Sequence, residues 1–138
     1  MNKRVFLVLL TLAVIGMAMP VFAAEGNTIQ PLYHSISSIQ VGLDINRNTG
    51  IAISDGAVNA YYQVPVEILV QLQVYKNGSW QTLRSWSDSG IGIASAYGEY
   101  TVTPGYNYRT KVTGSICNDL GIPIESETGT KEVYYPAS

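Results

Sequence analysis

From Ile39 onward apolar side chains recur with a period of two and hardly anywhere with a period of 3.6, which predicts strands and not helices. Ile39, Val41, Leu43 and Ile45 alternate with Gln40, Gly42 and Asp44 in a first strand. Asn46-Arg47-Asn48-Thr49-Gly50 turns the chain, and Ile51 and Ile53 open a second strand that continues weakly past Asp55-Gly56 toward Tyr61. The third is the clearest: Val64, Val66, Ile68, Val70, Leu72 and Val74 face away from Glu67, Gln71 and Gln73. Pro65 stands near its start, where a missing ladder donor is tolerated. After Asn77-Gly78 come a strand from Trp80 to Ser87, a Ser/Gly-rich connection from Asp88 to Ser95, and a strand around Tyr97 to Thr103. Pro104-Gly105 turns into Tyr106 to Cys117, and Asn118-Asp119-Leu120-Gly121 leads to a last strand over Ile124 to Tyr134. About seven short strands at regular spacing predict an all-β, immunoglobulin-like antiparallel sandwich, with a small barrel as the alternative.

The hairpin VYKNGSWQTLRSW, Val74 to Trp86, holds both tryptophans, and on an unbroken strand residues six apart share a face. A two-residue type I′ turn at Asn77-Gly78 pairs Tyr75 with Trp80 and Leu69 with Trp86, putting both rings outside. Leu69, Tyr75, Trp80 and Trp86, with Gln71, Gln73, Thr82 and Arg84 among them, would then form a half-polar aromatic surface suited to a carbohydrate or a partner protein. A three-residue loop with Gly78 in a bulge shifts the register by one, pairs Val74 with Trp80 and Ile68 with Trp86, and makes both rings core. At about 25 cal/mol per Å², burying two rings of about 150 to 250 Å² each favours the inward register by several kcal/mol. Its cost is Arg84, which must reach past the sheet edge to water. A bulge within the strand would release either constraint.

The other end of the sequence supplies an address. MNKR, the apolar run Val5 to Met19 and the small residues around Val21 and Ala23 read as a secretory signal peptide, residues 1–23, cleaved near Ala23. The apolar run is shorter than the roughly 18 to 20 residues a membrane-spanning helix needs, so a retained anchor is the lesser reading. Residues 24–35 form a flexible lead-in, and 36–138 a single sandwich domain. Loss of Lys3 and Arg4 from eight basic residues leaves six against ten acidic ones, a net charge of −4. With no basic stripe, neither nucleic acid nor stable membrane insertion is expected. Cys117 is the sole cysteine, so an intramolecular disulfide is impossible and packing must supply stability.

Two resemblances add to this. PGYNYRTKV, Pro104 to Val112, resembles the turn into the sixth strand of fibronectin type III and immunoglobulin-like sandwiches, which implies that Tyr108 closes a corner onto upstream backbone. More widely, the order of signal peptide, IQPLYHSISSI, LQVYKNGSWQTLRSWS, GYNYRTKV and a Glu-Ser-containing last strand resembles a family of small secreted proteins from Gram-positive Firmicutes. That family is defined only as a domain of unknown function and implies no activity.

Catalytic chemistry finds little footing. His34, the one histidine, lies in the lead-in, far in sequence from Cys117, so a Ser/His or Cys/His pair is not expected. Glu67, Glu99, Glu125 and Glu127 are the carboxylates a glycosidase would draw on, but solvated strand faces account for them equally well. Asp44, Asn46, Asn48 and Asp55 half resemble a calcium loop, yet Thr49 occupies the place of the sharp-turn glycine and the flanks read as strands, so a hairpin turn is expected. Asn77-Gly78-Ser79 matches a glycosylation acceptor and reads as a turn. The expectation is therefore a secreted, non-catalytic sandwich without cofactor or metal that recognises an extracellular glycan or protein. A structural envelope or matrix component and a small secreted hydrolase are the alternatives.

Overall fold

The computed structural model describes residues 35–138. The segment expected to be a signal peptide, the lead-in up to His34, and His34 itself lie outside the described residues.

Seven antiparallel strands make two sheets. They are β1 (Ile36–Asn46), β2 (Ile51–Ala60), β3 (Pro65–Lys76), β4 (Ser79–Ile91), β5 (Ile93–Thr101), β6 (Tyr106–Cys117) and β7 (Pro123–Tyr135). One sheet has the order β1-β2-β5 and the other β4-β3-β6-β7, the three-and-four division of a fibronectin type III-like sandwich. The valine row of β3 lies at the centre because β3 is hydrogen-bonded on both sides, to β4 and to β6. Val66, Ile68, Val70, Leu72 and Val74 are all buried, as their alternation requires.

Most inward positions of β2 and β5 are small: Ala52, Ser54 and Gly56 beside Val58 on β2, and Ala94, Ala96 and Gly98 on β5. A methyl group at Gly56 would lie 2.5 Å from Val112 Cγ2, so the absence of a side chain is what lets the sheets approach there. Between them Thr110 donates a 2.8 Å hydrogen bond to Ser54, both fully buried, so the sandwich centre holds one satisfied polar pair.

One stretch differs from expectation. The Ser/Gly-rich stretch Asp88 to Ser95 is not a connection: β4 runs to Ile91 and β5 starts at Ile93, with Gly92 alone between them at φ 72°. A left-handed glycine permits a corner this tight, and the Gly92 N–H and C=O bond to Val64 O and Ala60 N, so the corner belongs to the ladder. The second strand continues past Gly56 as expected, pairing with β1 as far as Ala60 and with β5 as far as Asn59. Its pattern is weak there because small residues fill a large-to-small packing slot and contribute little to a hydrophobic pattern.

Tyr108 closes the corner that its resemblance implied. Its hydroxyl donates to the Thr103 carbonyl at 2.6 Å and accepts from Thr103 N–H at 3.1 Å, with the ring buried in the second half of the core.

Candidate recognition face

The β3–β4 turn is two residues long, with Asn77 at φ 54° and Gly78 at φ 79°, and pairs Lys76 with Ser79 and Tyr75 with Trp80. This is the type I′ geometry that Asn-Gly favours. Gln73 then pairs with Thr82 but Leu72 with Arg84, so Leu83 is an extra residue on β4. Beyond this bulge the parity is reversed, and Trp86 stands opposite Val70, not Leu69. Trp80 is therefore outside and Trp86 inside, and the expectation that both rings share a face fails for that one inserted residue. The bulge also settles a local conflict: Leu83 turns its side chain onto the core, while Arg84 remains exposed at the open edge.

Trp86 bridges the two halves of the core and lies over the backbone of Gly98. A methyl group at Gly98 would fall 1.9 Å from the indole Cε2, so glycine is what makes room for the ring.

On the outer surface Trp80 and Tyr75 form a tilted pair with centroids 5.2 Å apart and planes at 59°. The Arg109 guanidinium, on β6, lies 4.3 Å from the centroid of the Trp80 ring. Its Nε donates to Gln73 Oε1 at 2.7 Å, and Gln73 Nε2 donates to Thr82 Oγ1 at 3.0 Å. Gln73 is only 7 % exposed although it sits on the outward row, because Arg109 and Trp80 cover it. A chain of contacts across three strands thus fixes the positions of an aromatic pair and a guanidinium before any ligand arrives.

The outward row through Tyr75 reaches Tyr134 on β7, which pairs with Asn107 and is half exposed. Toward the other end this surface is a field of short polar side chains: Gln71 with Ser85 and Lys111, and Leu69 with Ser87 and Thr113. Leu69 lines a shallow depression with Glu67, Asp88 and Ser115, and stands about 20 Å along β3 from Tyr75. Of the four residues named from sequence, Tyr75 and Trp80 adjoin, Leu69 shares their face at a distance, and Trp86 is on the opposite side. Arg109 was missed, although the alternation of Asn107, Arg109, Lys111 and Thr113 with Tyr108, Thr110 and Val112 carries the signal for an outward basic row.

The other candidates separate. Asn46 Oδ1 accepts from Asn48 N–H at 3.0 Å and Thr49 N–H at 3.3 Å, making a side-chain-stabilised turn, while Asp55 sits opposite Gly42 in mid-strand. Among the described residues no group of three His, Cys, Asp or Glu is placed to hold a metal ion. Glu99 is on the outer face of the smaller sheet, opposite Ile53. Glu125, on β7, accepts from the backbone N–H groups of Ser35 and Ile36 and so ties the start of β1 to the larger sheet.

Cys117 is buried at the end of β6, and burial first, then the charge and hydrogen bonding of Glu67, push its thiol above the ordinary value of 9.0. A group raised on folding contributes stability that is complete below its unfolded pKa and is lost as pH rises through the folded one. Wild-type Tm is therefore expected to fall above pH 9.0 more steeply than that of Cys117→Ala, which has no proton there to lose. Parallel slopes in a melting series from pH 8 to pH 11 would refute the assignment. Native Cys117 should also resist iodoacetamide until the fold opens.

No family model matches this chain, and no curated protein matches it. Among solved structures it is similar to the solution structure of R. palustris CsgH, at 7 % identity and a TM-score of 0.43, over 67 % of this chain and 88 % of that one.

Proposed function

We propose that the chain is exported under its N-terminal signal and works outside the cell as a non-catalytic recognition module for a polysaccharide. The observation that carries this reading is the preformed cluster of Tyr75, Trp80, Arg109 and Gln73 on the outer face of the β4-β3-β6-β7 sheet. A sugar ring presents an apolar face and a rim of hydroxyls, and a flat aromatic surface beside a held planar donor fork complements both. The rows of Ser, Thr and Gln side chains continuing toward Leu69 supply hydroxyl and amide partners for a chain extended along the strands. Because the surface is pre-ordered, binding loses little conformational entropy; because it is open, each sugar contributes little, and affinity rises with chain length.

The test is affinity electrophoresis of the processed domain through gels carrying neutral or uronic-acid-bearing polysaccharides, followed by calorimetry on the one that retards it. Tyr75→Ala is expected to weaken binding by about tenfold or more while costing the fold only about 1 kcal/mol, the worth of its pairing with Trp80. Arg109→Lys, which keeps the charge but loses the fork and the stacking, should also weaken it. Retardation by none of the polymers, or binding indifferent to both substitutions, would sink the proposal.

A further inference from the structure

The end of the sandwich remote from Trp80 is unusually apolar. On the β2–β3 connection Tyr61 and Tyr62 are exposed, and at the β4–β5 corner so are Ile91 and Ile93. The β6–β7 loop adds Leu120, 83 % exposed, with Ile122 and Ile124 beside it. All three segments leave the sheets at this end, since Val66 pairs with Gly90 and Ile116, and the next residues of each strand lead into them.

These side chains are held out by ordered backbone. Asn118 Oδ1 accepts from Leu120 N–H at 3.0 Å and Ile122 N–H at 2.9 Å, and Asn118 N–H donates to Ile122 O at 2.9 Å. At the corner, Gly92 is bonded on both sides to the β2–β3 connection, whose Tyr61 N–H donates to Ser35 O at 2.9 Å. The apolar exposure is thus built into closed turns and costs little further ordering when covered.

Together the seven side chains offer on the order of 800 Å², more than the largest apolar patch of a typical monomer and about what each partner contributes to an interface of standard size. Residues 61–64, 91–93 and 118–124 contain no Lys or Arg and only Asp119 among acidic residues. An anionic lipid surface or an acidic partner finds no attraction there. For two copies of an acidic chain, conversely, a surface nearly free of charge is where like-charge repulsion is least.

We infer that this end is an interface between two copies of the chain, related by a two-fold axis close to Tyr61 and Tyr62. The tyrosines lie on the connection that runs between the two sheets, with the β4–β5 corner to one side and the β6–β7 loop to the other. A two-fold axis through the middle sets Ile91 and Ile93 of each copy against Leu120, Ile122 and Ile124 of the other, aliphatic on aliphatic, so the surface is self-complementary. The inference is independent of the polysaccharide reading, since Tyr75 and Trp80 lie at the other end of the sandwich. A two-fold axis that opposes corner and loop in this way runs along the sheet normal, so a dimer joined here would carry its two recognition faces on one side, with the Trp80 clusters at opposite ends.

The test is sedimentation velocity of the processed chain from about 1 to 500 μM, with Ile91→Lys and Ile122→Glu made singly. The inference expects a concentration-dependent dimer, a monomer for either variant alone at the same concentration, and a dimer again when the two are mixed in equal amounts. Because both side chains are exposed, a Tm equal to that of the wild type at dilutions where the wild type is itself monomeric separates lost association from lost folding. A monomer at every concentration, whether residues 24–34 or nothing covers the end, overturns it. So does a dimer that ignores both substitutions, or two monomeric variants that fail to recombine.

Discussion

Trp86→Ala is expected to lower the free energy of unfolding by about 3 to 5 kcal/mol, while Trp80→Ala lowers it by about 1 to 2 kcal/mol. The difference follows from what each ring touches. Trp86 fills the slot above Gly98 and joins both halves of the core, so truncation leaves a cavity that two sheets bonded along their length cannot collapse to fill. Trp80 loses an aromatic pair and a guanidinium stack, and water replaces it at an open surface. Gly98→Ala should damage the fold through the same contact, and its cost should shrink in a Trp86→Leu background, because the clash exists only with the indole. Urea unfolding of the four single variants and the Gly98→Ala/Trp86→Leu double checks this; equal losses at the two tryptophans would show that they occupy equivalent environments.

Tyr108→Ala is expected to cost a comparable 3 to 5 kcal/mol, and Tyr108→Phe about 1 to 3 kcal/mol. The ring is 1 % exposed and packs among Leu43, Leu72, Val74 and Val102, and phenylalanine keeps all of that. What phenylalanine loses is the hydroxyl that satisfies both the N–H and the C=O of Thr103, which holds the Pro104-Gly105 turn against the start of β6. Phenylalanine should therefore leave the fold intact and raise amide exchange at Thr103 selectively. A Tyr108→Phe protein with wild-type stability and exchange would mean that the corner bonds contribute nothing.

Much of this architecture was legible in the sequence where local chemistry and packing agree. The valine row of β3 is buried on one side and polar on the other, and Asn77-Gly78 admits the positive φ values its turn needs. The resemblance around Pro104 to Val112 placed Tyr108 where its hydrogen bonds are found. What stayed hidden lies on edges and small residues. β4 is an edge strand whose residues are nowhere fully buried, so its pattern could not reveal that Leu83 is inserted. Without the bulge, Trp80 and Trp86 must share a face, and the area argument then places both inside; with it, each ring takes the environment that suits it. Likewise Ala94 reads as part of a loose connection until the core it packs against, Trp86 included, is set opposite it. Arg109 belonged to the site only through Trp80 and Gln73, partners 29 and 36 positions away, which no local pattern could connect.

Which tryptophan belongs to the recognition face rests on the two-residue turn before Trp80 and on the reversal of parity at Leu83 before Trp86, and proton NMR reads both directly. The predicted spectrum shows nuclear Overhauser effects from the Trp86 indole to the Gly98 Hα protons, which are shifted upfield by the ring, and from the Trp80 indole to Arg109 side-chain protons. Contacts from Trp86 to the side chain of Leu69 would mean that β4 has no bulge, and contacts from both indoles to the valine row of β3 would mean that both rings are core and that the face described here does not exist.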